Sequence, residues 1–375
     1  MGLLRQLLGG AESKNRTETR ETEDQARHDR RGGGRATASA AVHDDLNDDR
    51  EGPATAPCID AEDLGFFSSA AVLAAKDIRD ESQLVKSIST YMPDASREEV
   101  LFRYYLSRAL YLGEFELPML PQSAVQMMRL NRTPHADITK YARVVETDPS
   151  LVNAVIAMAN SSFFASLEGA QTIEQSIVRI GLAQLERITL MHTFRSKLFR
   201  VPGFDDLLTS QIDHGIKTAI AAQVVAPHAD AAPADAFLAG LFHDGGKLVL
   251  LSTVGKVQRK LSWQAPRSLI PPAFEAFHVA VGQSLCRHWD FPEAICTAVG
   301  NHHDGLRAIE DPLSHSVYVG NLIAHAIDDS SEDRAAAVRE DPSAFAGRLE
   351  AVDIEAVLDE VAGETESYSS VSEAN

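Results

Sequence analysis

The sequence is poor in the features that mark several classes of protein. It has only three cysteines among 375 residues, Cys58, Cys286 and Cys296. Three cysteines without a Cys-x-x-Cys spacing do not favour a disulfide scaffold or a zinc ribbon. No run approaches the roughly 18 apolar residues of a membrane-spanning helix, and the apolar start is too short for a secretory signal. We therefore expect a cytoplasmic protein without a transmembrane segment.

Basic residues are also in short supply. The 35 lysines and arginines face 54 aspartates and glutamates, so the formal net charge is -19. Residues 329–375 account for much of this imbalance, with 13 acidic and 3 basic residues. A chain of this charge does not favour binding to nucleic acid or to anionic membranes, since both are polyanions.

Composition divides the chain into four parts. Residues 1–60 contain hardly any large apolar residue after Leu8, which predicts a disordered tail. Residues 61–112 show helical patterns and form a prefix region, which either docks on the main domain or contacts a separate partner. Residues 113–328 form the main domain, and residues 329–375 form an acidic C-terminal tail with one helix before Ser-rich disorder.

Local signals throughout the main domain indicate helices. Asp137 and Asp148 are predicted to cap helices, Thr172 and Gln175 form a capping-box pattern, and Gly181 is a helix stop. No persuasive alternating strand occurs between residues 113 and 328. In the second half we expect helices over residues 213–225, 237–251, 274–289, 292–303 and 312–327. The predicted fold is therefore all-α, an orthogonal helical bundle.

One stretch, residues 239–251, places charged side chains inside an apolar run that we interpret as helix. Ionisable side chains are costly to bury unless they are paired or bound to something. His243 and Lys247 are four residues apart and so share a helical face. The adjacent His243 and Asp244 offer a nitrogen and an anionic oxygen, a mixed pair that suits divalent first-row metals.

Other histidines strengthen this weak signal. His214 lies upstream, and His278, His302 and His303 lie downstream, each at one end of its own apolar segment or inside it. Antiparallel helices can bring such residues to one point, as metal sites in helical bundles do. Five further histidines share no spacing with this set, and we interpret them as structural or surface residues: His192, His228, His288, His315 and His325.

A series of further segments makes the sequence resemble the HD superfamily, and more closely the HDOD family of bacterial signalling output domains. These segments are Leu117-Pro118-Met119-Leu120-Pro121, Asp148-Pro149-Ser150-Leu151, Ala159-Asn160-Ser161, Ser176-Ile177-Val178-Arg179-Ile180-Gly181, the run from Ala236 to Asp244, His288-Trp289-Asp290-Phe291-Pro292 and His302-His303. They extend over roughly residues 113–328, so the resemblance implies an HD-like fold for that part.

The resemblance also implies a metal site. Catalytic HD proteins are metal-dependent phosphohydrolases and phosphodiesterases, whose bound cation activates water. The corresponding candidate ligands here are His214, His243, Asp244, His278, His302, His303 and Asn321. Lys247 matches a lysine that can contact phosphate. The implied cofactor is a divalent metal, with iron, manganese and zinc as candidates.

Three departures weaken the resemblance to the catalytic members. Asn321 stands where a late aspartate is expected, and an uncharged amide binds a cation more weakly. Gly245 replaces the isoleucine that usually precedes the glycine of the doublet motif. The Gly-Tyr-Pro signature of cyclic-dinucleotide phosphodiesterases is missing after His303. Asp304, beside the histidine pair, is a candidate to compensate for the missing late aspartate, although its position is different.

Two functions follow as hypotheses. The first is a non-catalytic signal-transduction output or scaffold protein that acts through protein partners and holds a structural or vestigial metal. The alternative is a metal-dependent phosphohydrolase or phosphodiesterase acting on a nucleotide or cyclic nucleotide. The modest supply of basic residues around the cluster favours the first: Lys217, Lys247, Arg287 and Arg307. The sequence predicts neither the oligomeric state nor the identity of the partner.

Overall fold

The chain folds as α-helices joined by turns. The computed structural model describes residues 65–373, apart from 90–91, 132, 134–135, 162–163, 165–168, 197, 200, 329–333, 342 and 345–351. No strand occurs within these described residues, and the predicted all-α fold is confirmed. The N-terminal tail predicted over residues 1–60 lies outside them.

The helices follow one another closely along the described ranges. In chain order they are α1 (Ser69–Ala75), α2 (Glu81–Ile88), α3 (Arg97–Tyr111), α4 (Gln122–Asn131), α5 (Ile138–Glu146), α6 (Pro149–Ala159), α7 (Ile173–Ile180), α8 (Leu182–Ser196), α9 (Asp205–Val225), α10 (Pro233–Phe242), α11 (Gly245–Leu261), α12 (Ile270–His288), α13 (Glu293–Asn301), α14 (Gly305–Ala308), α15 (Pro312–Asp328), α16 (Arg334–Arg339) and α17 (Ile354–Glu373). Over this part of the chain, none of them is both long and apolar enough to cross a membrane.

Side-chain caps explain where several helices of the first half begin. The Asp137 carboxylate accepts a hydrogen bond from the amide of Thr139, and the Asp148 carboxylate accepts one from the amide of Ser150. Thr172 starts α7 with a complete capping box, and Gly181 ends it at a φ of 83°. These boundary predictions are confirmed, and each cap contributes about 0.5–2 kcal/mol of stability.

The prediction of one helix over residues 237–251 is wrong. The chain turns at His243 and Asp244, so that α10 ends before this pair and α11 begins after it. Asp244 has a φ of -100° and a ψ of 11°, outside the helical region, and the glycines that follow have low helix propensity. His243 and Asp244 therefore lie at a corner between two helices and not within one continuous helix.

Two other predicted boundaries also differ. The helix expected from residue 213 begins at Asp205, and two acidic residues, Asp205 and Asp206, lie in its first turn, where they complement the helix dipole. His214 consequently lies in the middle of α9. The helix expected to reach residue 303 ends at Asn301, so His302 and His303 follow its last turn.

The prefix region has its own small core and docks on the main domain. Helices α1 to α3 enclose a cluster that includes Phe67, Val72 and Leu84. Beyond this cluster, the Phe102 ring lies 5.8 Å from the Trp263 ring and the Phe66 ring 5.4 Å from the Phe277 ring. Of the two roles expected for residues 61–112, docking is therefore observed for those that the structure describes.

The C-terminal region differs from our expectation in its Ser-rich part, where we expected disorder after one helix. Helix α17 continues through the Ser-rich segment to Glu373. Its buried apolar residues join the main core: Ile354, Val357, Leu358, Val361 and Tyr368. In addition, the Glu364 carboxylate pairs with Arg187 and accepts a hydrogen bond from Gln184 of α8. The apolar stripe at spacings of three and four residues explains why an acidic helix packs against the bundle.

Candidate metal centre

Five separate elements bring the predicted ligands together. His214 comes from the middle of α9, His278 from α12 and Asn321 from α15, whereas the other residues lie at helix ends. The ligand atoms fall into two groups, within each of which all atoms lie within 4.8 Å of one another. We name them cluster A, formed by His214, His243 and Asp244, and cluster B, formed by Asp244, His278, His302 and His303. Asp244 belongs to both.

Most of this centre is shielded from solvent. His243 and His302 have no exposed surface, and Asp244 is 4% exposed. His214 and His278 are also buried, but His303 lies at the surface. Five ionisable groups removed from water need partners, because burial of an uncompensated charge or polar group is costly.

Gly246 makes the convergence sterically feasible. A β-carbon at this position would lie 1.9 Å from the carbonyl oxygen of His278 and 2.7 Å from the amide nitrogen of Gly282. The backbones of α11 and α12 are therefore in contact at this point. This close approach brings His278 within reach of Asp244.

Backbone carbonyls orient three of the imidazoles. Nδ1 of His243 lies 2.8 Å from the carbonyl oxygen of Gly240, and Nδ1 of His278 lies 2.6 Å from that of Phe274. Nδ1 of His302 lies 2.5 Å from the carbonyl oxygen of Val299. A carbonyl only accepts hydrogen bonds, so each Nδ1 carries the proton and each neutral ring presents an Nε2 lone pair.

These lone pairs face another acceptor, the carboxylate of Asp244. Nε2 of His243 lies 3.4 Å from Oδ2, whereas Nε2 of His278 and of His302 lie 3.6 Å and 3.5 Å from Oδ1. Nε2 of His243, Nε2 of His302 and Oδ1 of Asp244 are buried without a hydrogen-bond partner. Leaving such atoms unsatisfied costs about 1–3 kcal/mol each. A cation between them would satisfy all three.

Burial keeps several of the histidines neutral. It lowers the pKa of His243 to about 4 and that of His278 to about 3, against the opposing effect of Asp244. Burial and the neighbouring imidazoles lower the pKa of His303 to about 2. Nε2 of His303 lies 2.9 Å from Nε2 of His278, so His303 donates this hydrogen bond. At neutral pH all three are uncharged rings, the form that binds metals.

Lys247 is the only strong donor that contacts the Asp244 carboxylate among the described residues. Its Nζ donates to Oδ2 at 2.6 Å. Burial acts to raise the pKa of Asp244, but the ion pair with Lys247 opposes this effect, and that pKa is held well below its usual range. The predicted phosphate-contacting lysine is thus engaged with a carboxylate, which remains anionic.

His214 differs from the other histidines because its two ring nitrogens both face side-chain oxygens. Nε2 lies 2.9 Å from Oδ1 of Asn321, and Nδ1 lies 3.4 Å from Oδ2 of Asp328. Nε2 of His214 is also 4.0 Å from Oδ2 of Asp244. Asn321, the weakest of the predicted ligands, therefore contacts His214 directly.

Sequence reasoning missed Asp328 and misjudged the surroundings of His325. Burial opposes ionisation of Asp328, yet hydrogen bonds from His214 and Lys217 lower its pKa to about 2. The exposed His325 ring lies 4.4 Å from the ring of His214. The signal was available, because Asn321, His325 and Asp328 are four and three residues apart and share one face of α15.

Of the other four histidines that the structure describes, two make structural contacts and two lie at the surface. Nε2 of His192 lies 3.0 Å from the hydroxyl of Ser150, and Nε2 of His315 lies 2.8 Å from the carbonyl oxygen of Ser343. His228 and His288 are exposed. None of these four belongs to cluster A or cluster B.

The residues present fit a divalent metal. Neutral imidazole nitrogens and a carboxylate are borderline ligands suited to zinc, iron and other first-row ions. Their convergence in a helical bundle defines an all-α protein with an HD-type histidine and aspartate cluster. The HDOD domain family matches residues 117–305, just over half of the 375 residues. The chain belongs to the HDOD family, as its resemblance implied.

Comparisons with other proteins support this fold. A proposed metal-dependent phosphohydrolase of Shewanella amazonensis SB2B has a TM-score of 0.54 at 17% identity, over 72% of this chain and 99% of that one. A proposed phosphohydrolase of the same strain has a TM-score of 0.50 at 18% identity, over 72% and 97%. An uncharacterized protein of Treponema pallidum (strain Nichols) is 23% identical over 57% of this chain, and that match spans 43% of the relative's length.

Proposed function

We propose that this protein is a metal-holding HDOD output protein of bacterial signal transduction, which acts through contacts with protein partners and not through catalysis. The observation that carries the metal assignment is the arrangement of acceptor atoms around Asp244. Three Nε2 lone pairs and a carboxylate oxygen converge in a buried space, and three of these atoms lack a partner. A divalent cation such as zinc, iron or manganese supplies the positive charge that this arrangement lacks.

The state of the basic residues argues against phosphate chemistry. Each of the four cations expected near the cluster contacts a carboxylate: Lys217 pairs with Asp328, Lys247 with Asp244, Arg287 with Glu293 and Arg307 with Asp304. A phosphohydrolase needs cationic groups that receive the phosphoryl oxygens. With these four engaged, and Asn321 in place of an aspartate, a structural metal agrees better with the site than a catalytic one.

Metal content tests the first half of this proposal. The protein is purified without an affinity metal, and iron, manganese and zinc are measured by mass spectrometry in the wild type and in a His243→Ala, Asp244→Ala variant. The expected result is about one or two metal equivalents, lost in the variant. The matched control replaces an exposed histidine and an exposed acid on α12, His288→Ala with Glu275→Ala, and keeps its metal. Metal-free wild type would contradict the proposal.

A phosphohydrolase or phosphodiesterase is the second candidate, and one observation favours it. His303 and His325 are exposed and lie beside the buried ligands, so the cluster is near the surface, where a small molecule can approach it. A metal held there lowers the pKa of a bound water. Hydrolysis of nucleotides or cyclic nucleotides by the wild type, lost with His243→Ala and unchanged with His288→Ala, would establish this function in place of the first.

A further inference from the structure

The turn that carries His302 and His303 is packed from the outside by a segment beyond the HDOD match. Residues 302–304 connect α13 to α14, which begins at Gly305, whereas Asp341, Ser343 and Ala344 follow α16 in the acidic C-terminal region. We name these three described residues the C-terminal latch. The latch contacts the same turn that supplies two of the four members of cluster B.

Ser343 makes the closest contact. A β-carbon on Gly305 would lie 2.6 Å from Oγ and 2.7 Å from Cβ of Ser343, and 3.0 Å from the Cζ atom of Tyr318. The absence of a side chain at Gly305 therefore lets the latch lie directly on the backbone two residues after His303. An outward movement of this turn is blocked as long as Ser343 stays in place.

Two hydrogen bonds to α15 hold the latch. The hydroxyl of Tyr318 donates to Oδ2 of Asp341 at 2.8 Å, and Nε2 of His315 lies 2.8 Å from the carbonyl oxygen of Ser343. The other oxygen of Asp341 accepts from the amides of Ser343 and Ala344 at 2.8 Å and 3.0 Å. Asp341 therefore joins the turn within the latch to the helix that carries Asn321.

We propose that the C-terminal latch is a positioning element for the metal centre. Its contact with Gly305 holds His302 and His303 in place and so raises the metal affinity of cluster B. The inference rests on the proposed metal function. It assigns to Asp341, Ser343 and Tyr318 a role in which none of them touches the metal. Residues that support metal ligands from outside typically change metal affinity by about 10–100-fold when they are replaced.

Cobalt(II) serves as the probe, because its visible absorption reports on the ligands around the ion. The metal-free full-length protein is titrated with Co²⁺ in the wild type, Asp341→Ala, Asp341→Asn and His302→Ala. We expect Asp341→Ala to bind Co²⁺ at cluster B about tenfold more weakly, with an absorption spectrum shifted towards that of His302→Ala. In Asp341→Asn the remaining oxygen accepts from the amides of Ser343 and Ala344, and the NH2 group donates to the hydroxyl of Tyr318, so we expect this variant to restore most of the affinity.

Glu340→Ala is the matched control, since Glu340 is an exposed acid next to Asp341. Tyr318→Phe keeps the packed ring and removes only the donor, so it tests the same bond if Asp341→Ala fails to fold. If both Asp341→Ala and Tyr318→Phe have the Co²⁺ affinity and the absorption spectrum of the wild type, the proposed role of the latch is wrong, but the proposed metal centre is not affected. A wild type that binds no Co²⁺ would overturn the proposed metal function itself, and the latch with it.

Discussion

Clusters A and B share one carboxylate but are prepared differently for a cation. In cluster B, His278 and His302 bind backbone carbonyls through Nδ1 and turn their Nε2 lone pairs towards Asp244. In cluster A, His243 is oriented in the same way, but Nε2 of His214 faces the Asn321 side chain instead. Cluster B therefore directs two imidazoles at Asp244, one of which also accepts a hydrogen bond from His303, whereas cluster A directs only His243 in this way.

This difference shows how one substitution alters a metal site without dismantling it. An aspartate at position 321 would add an anion beside His214 and raise the affinity for a cation, as ligand charge does elsewhere. The asparagine removes that charge, and its Oδ1 lies 2.9 Å from Nε2 of His214. Cluster A then offers two imidazoles and one carboxylate, whereas cluster B offers three imidazoles and the same carboxylate. We expect cluster B to be the tighter of the two.

The largest effect should come from Asp244, since it is common to both clusters. Asp244→Asn keeps the shape of the side chain and removes the carboxylate that, among the described residues, lies within 4.0 Å of Nε2 of four histidines: His214, His243, His278 and His302. We expect metal affinity to fall by on the order of 100-fold, measured by dialysis against a metal buffer. Asp235→Asn on the neighbouring helix is the control. Retention of metal by Asp244→Asn would mean that the imidazoles alone hold it.

Replacement of His302 should separate the two clusters. His302→Ala removes a ligand of cluster B and leaves all three residues of cluster A intact. The expected result is loss of the tighter metal and retention of a weaker site, which a titration with cobalt(II) resolves. His288→Ala, at an exposed position, should bind as the wild type does. Equal loss from both clusters would show that they act as one site.

A smaller effect, an increase in metal affinity, is expected from a substitution in cluster A. Asn321→Asp restores the carboxylate and should raise metal affinity there by about tenfold. In the metal-free protein the same carboxylate would lie near Asp244, so we expect lower thermal stability that recovers when metal is added. A substitution that leaves both quantities unchanged would contradict the assignment of Asn321 to the centre.

Much of this centre could be predicted because each signal is local. Histidines inside apolar segments, with Asp148 and Thr172 as helix caps, need only spacing and residue type to be recognised. The corner at His243 and Asp244 was missed because the surrounding apolar run matches a continuous helix. The close approach of the Gly246 backbone to α12 accompanies this corner, and it is a tertiary contact that periodicity does not report.

The contribution of the C-terminal region was missed for a different reason. Its apolar residues around Ile354 and Leu358 indicated one helix, but the net negative charge indicated a solvated tail. The packing of that helix against the core depends on tertiary contacts that the sequence pattern does not report. Asp328 was likewise overlooked because a carboxylate at a helix end is commonly solvated. Its pairing with Lys217 and His214 depends on α9 and α15 lying side by side.

The pH dependence of stability gives a last test, with a smaller expected effect, of whether the buried imidazoles are neutral in the folded protein. His243 and His278 have pKa values lowered by burial to about 4 and about 3, whereas an unfolded histidine titrates near 6.5. Between about pH 6.5 and pH 4 the unfolded chain therefore binds more protons than the folded one. The free energy of unfolding must decrease as the pH falls through this window.

Each such histidine adds about 1.4 kcal/mol per pH unit to the slope within the window. Asp244 does not contribute there, because its pKa is held well below its usual range in the folded protein, and its own destabilising effect begins only in more acidic solution.

Urea unfolding of the metal-free protein between pH 7 and pH 4.5 measures the slope. His278→Gln should reduce the slope by nearly one proton, whereas the exposed His288→Gln should not. An unchanged slope in His278→Gln would mean that His278 is charged in the folded state. Its Nε2 would then donate to Asp244 and would have no lone pair with which to bind a cation.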